Sequence, residues 1–273
     1  MAQATWMVYG FMNRIYKMYH IATEGSPAQT TSFSSYPGVL ASLDDFYTMD
    51  SGLGMVQTSN PVYNNSRSLL VKAQSLVTWL RVRAANVLAS SGAEWGAMLG
   101  RNFSGTYPNQ YMITDYSRFT PGQPLRPGTL TVVEEIPGMV VSGDVTPQLE
   151  RGYWPSYNVP YWPAIYAASD VPAIVAKHGP SESYDLAPRA KIFRRDQGGV
   201  VDFGKFKALM RSNHYKTDPF ADGHACNQIC CRGDLEITAD GKDTAEQPMG
   251  CYDAKARPAG IPRPLHPKRA IVG

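Results

Sequence analysis

One apolar stripe constrains this chain more than any other feature. Leu69, Leu70, Ala73, Leu76, Val77, Leu80, Ala84, Val87 and Leu88 recur at the three- and four-residue spacing of a helix with one buried face, and the spacing predicts a helix over 68–89. Ser91 and Glu94 then make a capping-box pattern, which starts a second, short helix over 92–99. On either side the pattern switches to short strand-like segments. Before the helices these are 39–43 and 54–58, bracketing a DDFY turn. After them come 110–115, 129–136 and 139–141, with the Pro-Gly stretch 120–128 as a loop. Helices set among strands give an α+β fold class, and a content of 24 Gly and 21 Pro argues against a pure helical bundle.

The flanks are less regular. Trp6, Val8, Phe11, Ile15, Tyr16 and Tyr19 suggest a strand that passes into an amphipathic helix within 1–20, and the Ser, Thr, Pro and Gly-rich stretch 25–38 reads as loop. A last helix is expected over 200–212. From Pro219 onward the chain reads as irregular and cysteine-stapled, and 254–273, with Pro258, Pro262, Pro264 and Pro267 among cations, as a disordered extension. The main unit is thus expected to span 1–253, with its stapled region at 219–253.

Charge excludes some partners. Five of the 26 cations (Lys255, Arg257, Arg263, Lys268 and Arg269) lie in the final stretch, and without them the balance against 23 acids turns negative. The net +3 therefore reports a tail and not a nucleic-acid groove. No window supplies the roughly 18 apolar residues of a membrane span. The first residues lack the basic-then-apolar order of a secretory signal, since Arg14 and Lys17 follow the short apolar run.

The cysteines pull toward an oxidising compartment. Cys226, Cys230, Cys231 and Cys251 form an even, clustered set that reads as two disulfides in any of three pairings. Zinc held by His224 and the thiolates is the other reading of the same residues. Asn64 and Asn102 open glycosylation sequons. Arg232, Gly233 and Asp234 spell an adhesion tripeptide, with an ordinary polar turn as its plain alternative. The other histidines, His20, His178, His214 and His266, are scattered, and Asp44 and Asp45 point to opposite faces of any strand. There is no G-x-S-x-G elbow, no H-E-x-x-H helix and no Walker-type loop.

Longer segments carry more information. FSSYPG at 33–38, LDDFY at 43–47, SGTYPNQYM at 104–112, GYWPSYNVP at 152–160 and YDLAPRAKIFRRDQG at 184–198, followed by CNQICCRGDL and GCYD, occur in order along 5–253. In these segments the chain closely resembles the phospholipase B-like family. The resemblance implies a partial αββα sandwich of the N-terminal nucleophile hydrolase type. It implies a lysosomal or secreted glycoprotein that removes acyl chains from phospholipids or a related acylated substrate, without a cofactor or metal. In such an enzyme a cysteine thiol attacks while its own α-amine takes the proton, and amide donors hold the oxyanion.

The resemblance also exposes departures. The family's nucleophilic cysteine precedes the Trp of an H-x-[ST]-W segment whose Trp is Trp6 here, so its place falls before Met1. The family's His falls at Gln3. The nucleophile is therefore expected to be absent from this chain and carried, if anywhere, on an upstream segment of the same precursor. After Asp253 the sequence leaves the family pattern, which adds to the expectation of an incomplete domain. A Y-N-N-Q segment reads Tyr107, Pro108, Asn109, Gln110, which leaves Asn109 as the candidate oxyanion or positioning donor. Thr58 and Ser59 match a Thr pair of the cleft, Trp6 is divided between pocket wall and core, and Arg194, Arg195 and Asp196 read as a structural ion cluster. The alternatives are a non-catalytic protein binding lipid, glycan or receptor, with Trp154, Tyr157 and Trp162 as aromatic surface or buried cluster, and an inactive fragment with open sheet edges.

Overall fold

Alternation along the central strands sorts the apolar side chains onto two faces. Leu53 and Met55, Tyr111 and Ile113, and Val133 pack on one side, while Val56, Met112, Leu130 and Val132 pack on the other. A sheet buried on both faces needs cover on both, and the computed structural model, which describes residues 1–42, 46–236 and 248–257, shows what supplies it. The elements are β1 (Ala2–Val8), β2 (Ile15–His20), β3 (Thr30–Ser35), β4 (Phe46–Met49), β5 (Leu53–Ser59), α1 (Thr78–Leu88), α2 (Gly92–Leu99), β6 (Asn109–Asp115), β7 (Leu130–Ile136) and β8 (Met139–Asp144). Then follow α3 (Thr146–Leu149), α4 (Pro163–Ala168), α5 (Val171–His178), α6 (Pro188–Asp196), α7 (Phe203–Met210) and β9 (Met249–Ala256).

Strands β2 to β8 form one seven-stranded antiparallel sheet in sequence order, and β1 pairs with β9 in a second, two-stranded sheet. Helices α1 and α2 cover the first face of the large sheet through Val82, Ala85, Ala89, Trp95 and Leu99. Met1, ahead of β1, packs into the cluster on the opposite face, whereas Ala2, Ala4 and Ala254 of the small sheet pack with Ile192, Phe206, Leu209 and Met210 of α6 and α7. The layers therefore run helix, sheet, sheet, helix. The fold is α+β, with the layers in αββα order.

Helix α2 begins as the capping box requires, with Ser91 Oγ accepting from Glu94 N at 3.2 Å, although the Glu94 carboxylate reaches back to Ser90 N at 2.9 Å. Gly92, in its first turn, lies against β7, where an added Cβ would stand 2.6 Å from Thr131 Cβ. Gly92→Ala is expected to cost about 1–3 kcal/mol by overpacking. A urea midpoint unchanged from the parent would show that helix and sheet are less tightly apposed.

The 68–89 helix is corrected most. A 3-10 turn spans Asn65–Leu70, and α1 begins only at Thr78. Leu76 N donates to Asn102 O at 3.0 Å and Leu76 bridges Phe103, so tertiary pairing captures the backbone that the helix needed. Leu69 of the supposed buried stripe is 84% exposed, and Leu70, Leu76, Val77 and Leu80 are exposed with it.

Other expectations change for equally local reasons. The loop at 25–38 contains β3, whose TTSFSS residues are all buried between β2 and β4. Ser35 Oγ donates to Ala41 O and Thr30 Oγ1 meets His20 Nδ1, whereas Ser34 Oγ is buried without a partner among the described residues. The helix expected before residue 20 is strand β2. Residues 39–42 are irregular and 43–45, including Asp44 and Asp45, lie outside the described residues, while Phe46 opens β4. The last helix is shorter than 200–212. The irregular region after Pro219 contains β9, which runs to Ala256, and Arg257 N donates to Met1 O at 2.8 Å. The ordered sheet thus passes the expected boundary at 253, and 258–273 lie outside the described residues.

Cys226 pairs with Cys231 and Cys230 with Cys251, so disulfides take the thiols that a zinc site would need. Among the described residues no group of three His, Cys, Asp or Glu could hold a metal ion, and no helix is long and apolar enough to cross a membrane. The Arg232-Gly233-Asp234 turn is engaged internally. Arg232 Nε donates to Asp234 Oδ1 at 2.8 Å, Tyr9 Oη donates to the same oxygen at 2.7 Å, and Gly233 lies so close to Met249 O that a Cβ would stand 2.8 Å from it.

Candidate active site

Strand β5 ends at Thr58 and Ser59, which pair with Gln110 and Asn109 at the start of β6. Successive side chains point to opposite faces, so Thr58 and Gln110 share one face, and Ser59 and Asn109 the other. The connection 153–162 crosses the first of these faces. Its Ser156 hydroxyl hydrogen-bonds the Thr58 hydroxyl, and Asn158 Nδ2 donates to Ser59 O at 2.7 Å. Asn158 adopts φ 63°, a left-handed conformation that Asn tolerates better than most residues.

Helix α6 brings in the charge. Pro188 occupies its first position, which suits a ring with fixed φ and no N–H, and Arg189 follows. Arg189 Nη1 donates to Asn158 Oδ1 at 2.9 Å, and its guanidinium carbon lies 4.5 Å from the centre of the Trp6 ring. Trp6 is set by a β-bulge between Thr5 and Trp6, by pairing with Cys251, and by donating Nε1–H to Ile229 O at 3.2 Å. Burial lowers the Arg189 pKa to about 10, which leaves it protonated near neutrality.

Trp6, Thr58 and Ser59 are therefore linked through Ser156, Asn158 and Arg189, and Asn109 is set apart from them. Asn109 is fully buried beneath the helical face, and its Nδ2 protons go to Tyr107 O at 2.8 Å and Tyr111 Oη at 3.2 Å. Ser156, Asn158 and Arg189 escaped single-residue reasoning because they are ordinary loop and helix residues until the fold joins them. The legible signals were the αL-tolerant Asn in YNVP and the Pro-led helix start in APR.

The loop has its own anchor. Glu134 on β7 is fully buried and accepts from Gln110 Nε2 at 2.7 Å, Tyr161 N at 2.8 Å, Trp162 N at 2.9 Å and Asn60 Nδ2 at 3.3 Å. Burial nevertheless raises its pKa above the ordinary 4.5, with the four donors opposing. The folded state therefore binds this proton more tightly than the unfolded chain does, a stabilisation fully present below 4.5 and lost as pH rises through the raised value. Asp218 has the opposite sign. Hydrogen bonds from Arg195 pull its pKa down to about 2, so its contribution is present above 3.8 and lost as pH falls toward 2. Stability is expected to peak at mildly acidic pH, and Glu134→Gln should flatten the decline toward neutrality. Urea midpoints at pH 4.5, 5.5 and 7 that rise steadily to neutrality would contradict this.

The remaining expectations find structural places. Tyr157 is buried with Ala187 and Ala190, while half-buried Trp154 and Trp162 pack against the large sheet, and ring contacts of Tyr161 and Tyr184 connect the two groups. Of the expected ion cluster, Arg195 pairs with Asp196 and also with Asp218, while Arg194 donates to the backbone oxygen of Asp185 at 2.8 Å. Asn102 is exposed, and half-buried Asn64 caps the 3-10 turn through Ser66 N.

A family model described as Phospholipase B matches residues 1–263. Phospholipase B-like 1 of Rattus norvegicus is 47% identical over 256 residues, covering 93% of this chain and 46% of that protein. Phospholipase B-like 1 of Homo sapiens and Phospholipase B of Crotalus adamanteus are each 46% identical, covering 93% of this chain and 45% of theirs. The chain thus spans about half the length of the curated relatives it matches. Among solved structures, a variant of conjugated bile acid hydrolase from Clostridium perfringens aligns with a TM-score of 0.43 at 12% identity, covering 92% of this chain and 79% of that one.

Proposed function

We propose, on the premise that this chain belongs to the phospholipase B family, that it forms the substrate-holding part of an acyl-hydrolase site for phospholipids or a related acylated substrate. The observation that carries this reading is the constellation of Thr58 and Ser156 hydroxyls, the Asn158 amide and the Arg189 guanidinium beside Trp6. Such groups position an acyl ester and offset negative charge on its carbonyl oxygen, but they include neither a nucleophile nor a base. All four cysteines are in disulfides. The thiol then comes from outside these residues, on a segment of the same precursor, with its α-amine as base.

In that reaction the sulfur bonds to the acyl carbon, the ester C–O bond breaks, and the amine passes the thiol proton to the departing alcohol. Water then cleaves the thioester and releases the fatty acid. Purified chain given a diacyl phospholipid should release no fatty acid above a blank, and adding a segment with an N-terminal cysteine should restore release. Thiol-independent release by the chain alone would overturn the reading. The two disulfides support a lysosomal or extracellular site of action, and glycans at Asn64 and Asn102 belong to the same proposal, tested by a mass shift on endoglycosidase treatment.

A second reading is lipid binding without turnover. Its support is the exposed run Leu69, Leu70, Val71, Leu76, Val77, Trp79 and Leu80 within 51–93, a stretch that contains Arg67, Lys72 and Arg83 and no acid. Flotation with anionic vesicles, combined with no turnover even by the whole precursor, would favour it.

A further inference from the structure

Arg189 is charged in a place that disfavours charge. Four other arginines carry a carboxylate: Arg81 has Glu135, Arg118 has Asp115, Arg195 has Asp196 and Asp218, and Arg232 has Asp234, while Arg67, Arg126 and Arg194 donate to backbone carbonyl oxygens. Among the described residues no carboxylate lies within ion-pair distance of Arg189. Its protein contacts are the neutral Asn158 oxygen and the Trp6 ring. It also sits in the first turn of α6, where the helix dipole adds positive potential and no side chain caps the free N–H groups.

Partial desolvation, an adverse dipole and a missing counter-charge all raise the energy of the guanidinium, and an anion placed against it would relieve all three. Of its five N–H donors, the Asn158 bond uses one, so donors remain for a bidentate oxyanion. Asn158 holds the fork in place because its amide is fixed at the other end by Ser59 O. The site adjoins the Thr58 and Ser156 hydroxyls, where the proposed acyl ester would lie.

We propose that Arg189, oriented by Asn158 and Trp6, forms a subsite for phosphate oxygens, the group a glycerophospholipid carries next to its esters. This deepens the proposed function by assigning a headgroup contact, and it rests on that reading for the identity of the substrate. Inorganic phosphate offers the same chemistry.

Calorimetric titration of the purified chain with glycerophosphocholine, inorganic phosphate and hexanoate tests it. Glycerophosphocholine is expected to bind, with affinity falling at least tenfold in Arg189→Gln and less in Arg189→Lys, which keeps the charge but loses the fork. Lys191→Gln, which removes a cation from the same helix, should change nothing. Binding of inorganic phosphate alone, with the same Arg189 dependence, keeps the subsite and makes free phosphate its source. No binding, equal loss in Lys191→Gln, or preference for hexanoate overturns the proposal. Arg189→Lys guards against misfolding, since it retains the ring contact and the helix. The titration needs no turnover, so phosphate binding without hydrolysis by the whole precursor would sink the function and spare the subsite, and the reverse result would sink the subsite alone.

Discussion

Arg81→Met is expected to destabilise the chain by about 3–5 kcal/mol, the usual cost of leaving one partner of a buried ion pair alone. Arg81 and Glu135 are 2% and 0% exposed, with Nη2 donating to Oε2 at 2.8 Å and to Oε1 at 3.1 Å. The same guanidinium donates from Nε to Leu76 O at 3.0 Å and from Nη1 to Leu99 O. It thus holds the approach to α1 and the end of α2 against β7. Replacing Glu135 by Leu as well should recover part of the loss, because the stranded carboxylate is then gone. Equilibrium urea unfolding of the two single variants and the double variant measures both numbers, and an Arg81→Met variant within 1 kcal/mol of the parent would show that the pair contributes little.

Removing the Cys230–Cys251 disulfide as a Cys230→Ser, Cys251→Ser pair is expected to cost roughly 3 kcal/mol, because the bridge closes a separation of 21 residues. The loss should reach the site. Cys251 pairs with Trp6 in the small sheet, and Ile229, which accepts the Trp6 indole proton, precedes Cys230. Without the bridge, β9 and β1 keep only hydrogen bonds to the 229–232 turn, such as Cys251 N to Cys231 O at 2.7 Å, and Trp6 is held less firmly under Arg189. Phosphate binding should weaken along with stability. Unfolding by urea with and without reductant gives the first quantity and the titration gives the second; full stability in reductant would remove the bridge from this account.

Legibility in the sequence followed how local each cause was. The capping box at Ser91 placed α2 correctly because its bonds close within four residues. Strands β5 to β8 were found because alternation is read from neighbours. TTSFSS was mistaken for loop because Ser and Thr usually face water, whereas here a central position between two strands buries them. The apolar stripe at 68–89 was over-extended because periodicity cannot reveal that Asn102 and Phe103 would claim Leu76. Trp6, Thr58 and Ser59 were reachable through family resemblance, while the opposed face of Asn109 was not, because resemblance carries residue identity but not the side of the sheet.

By itself, then, the sequence determined the α+β class, the family and two disulfides among four cysteines without their pairing, and it singled out Trp6, Thr58 and Ser59 but not Ser156, Asn158 or Arg189. All of these rest on composition, short-range spacing or aligned identity. Tertiary structure alone decided the joining of β1 to β9, the disulfide pairing, the anchoring of the 153–162 connection by Glu134 and the meeting of Arg189 with Asn158 and Trp6. Each of those depends on groups far apart in the chain. Their energies come from burial and directional hydrogen bonds that exist only once the two sheets have closed on one another.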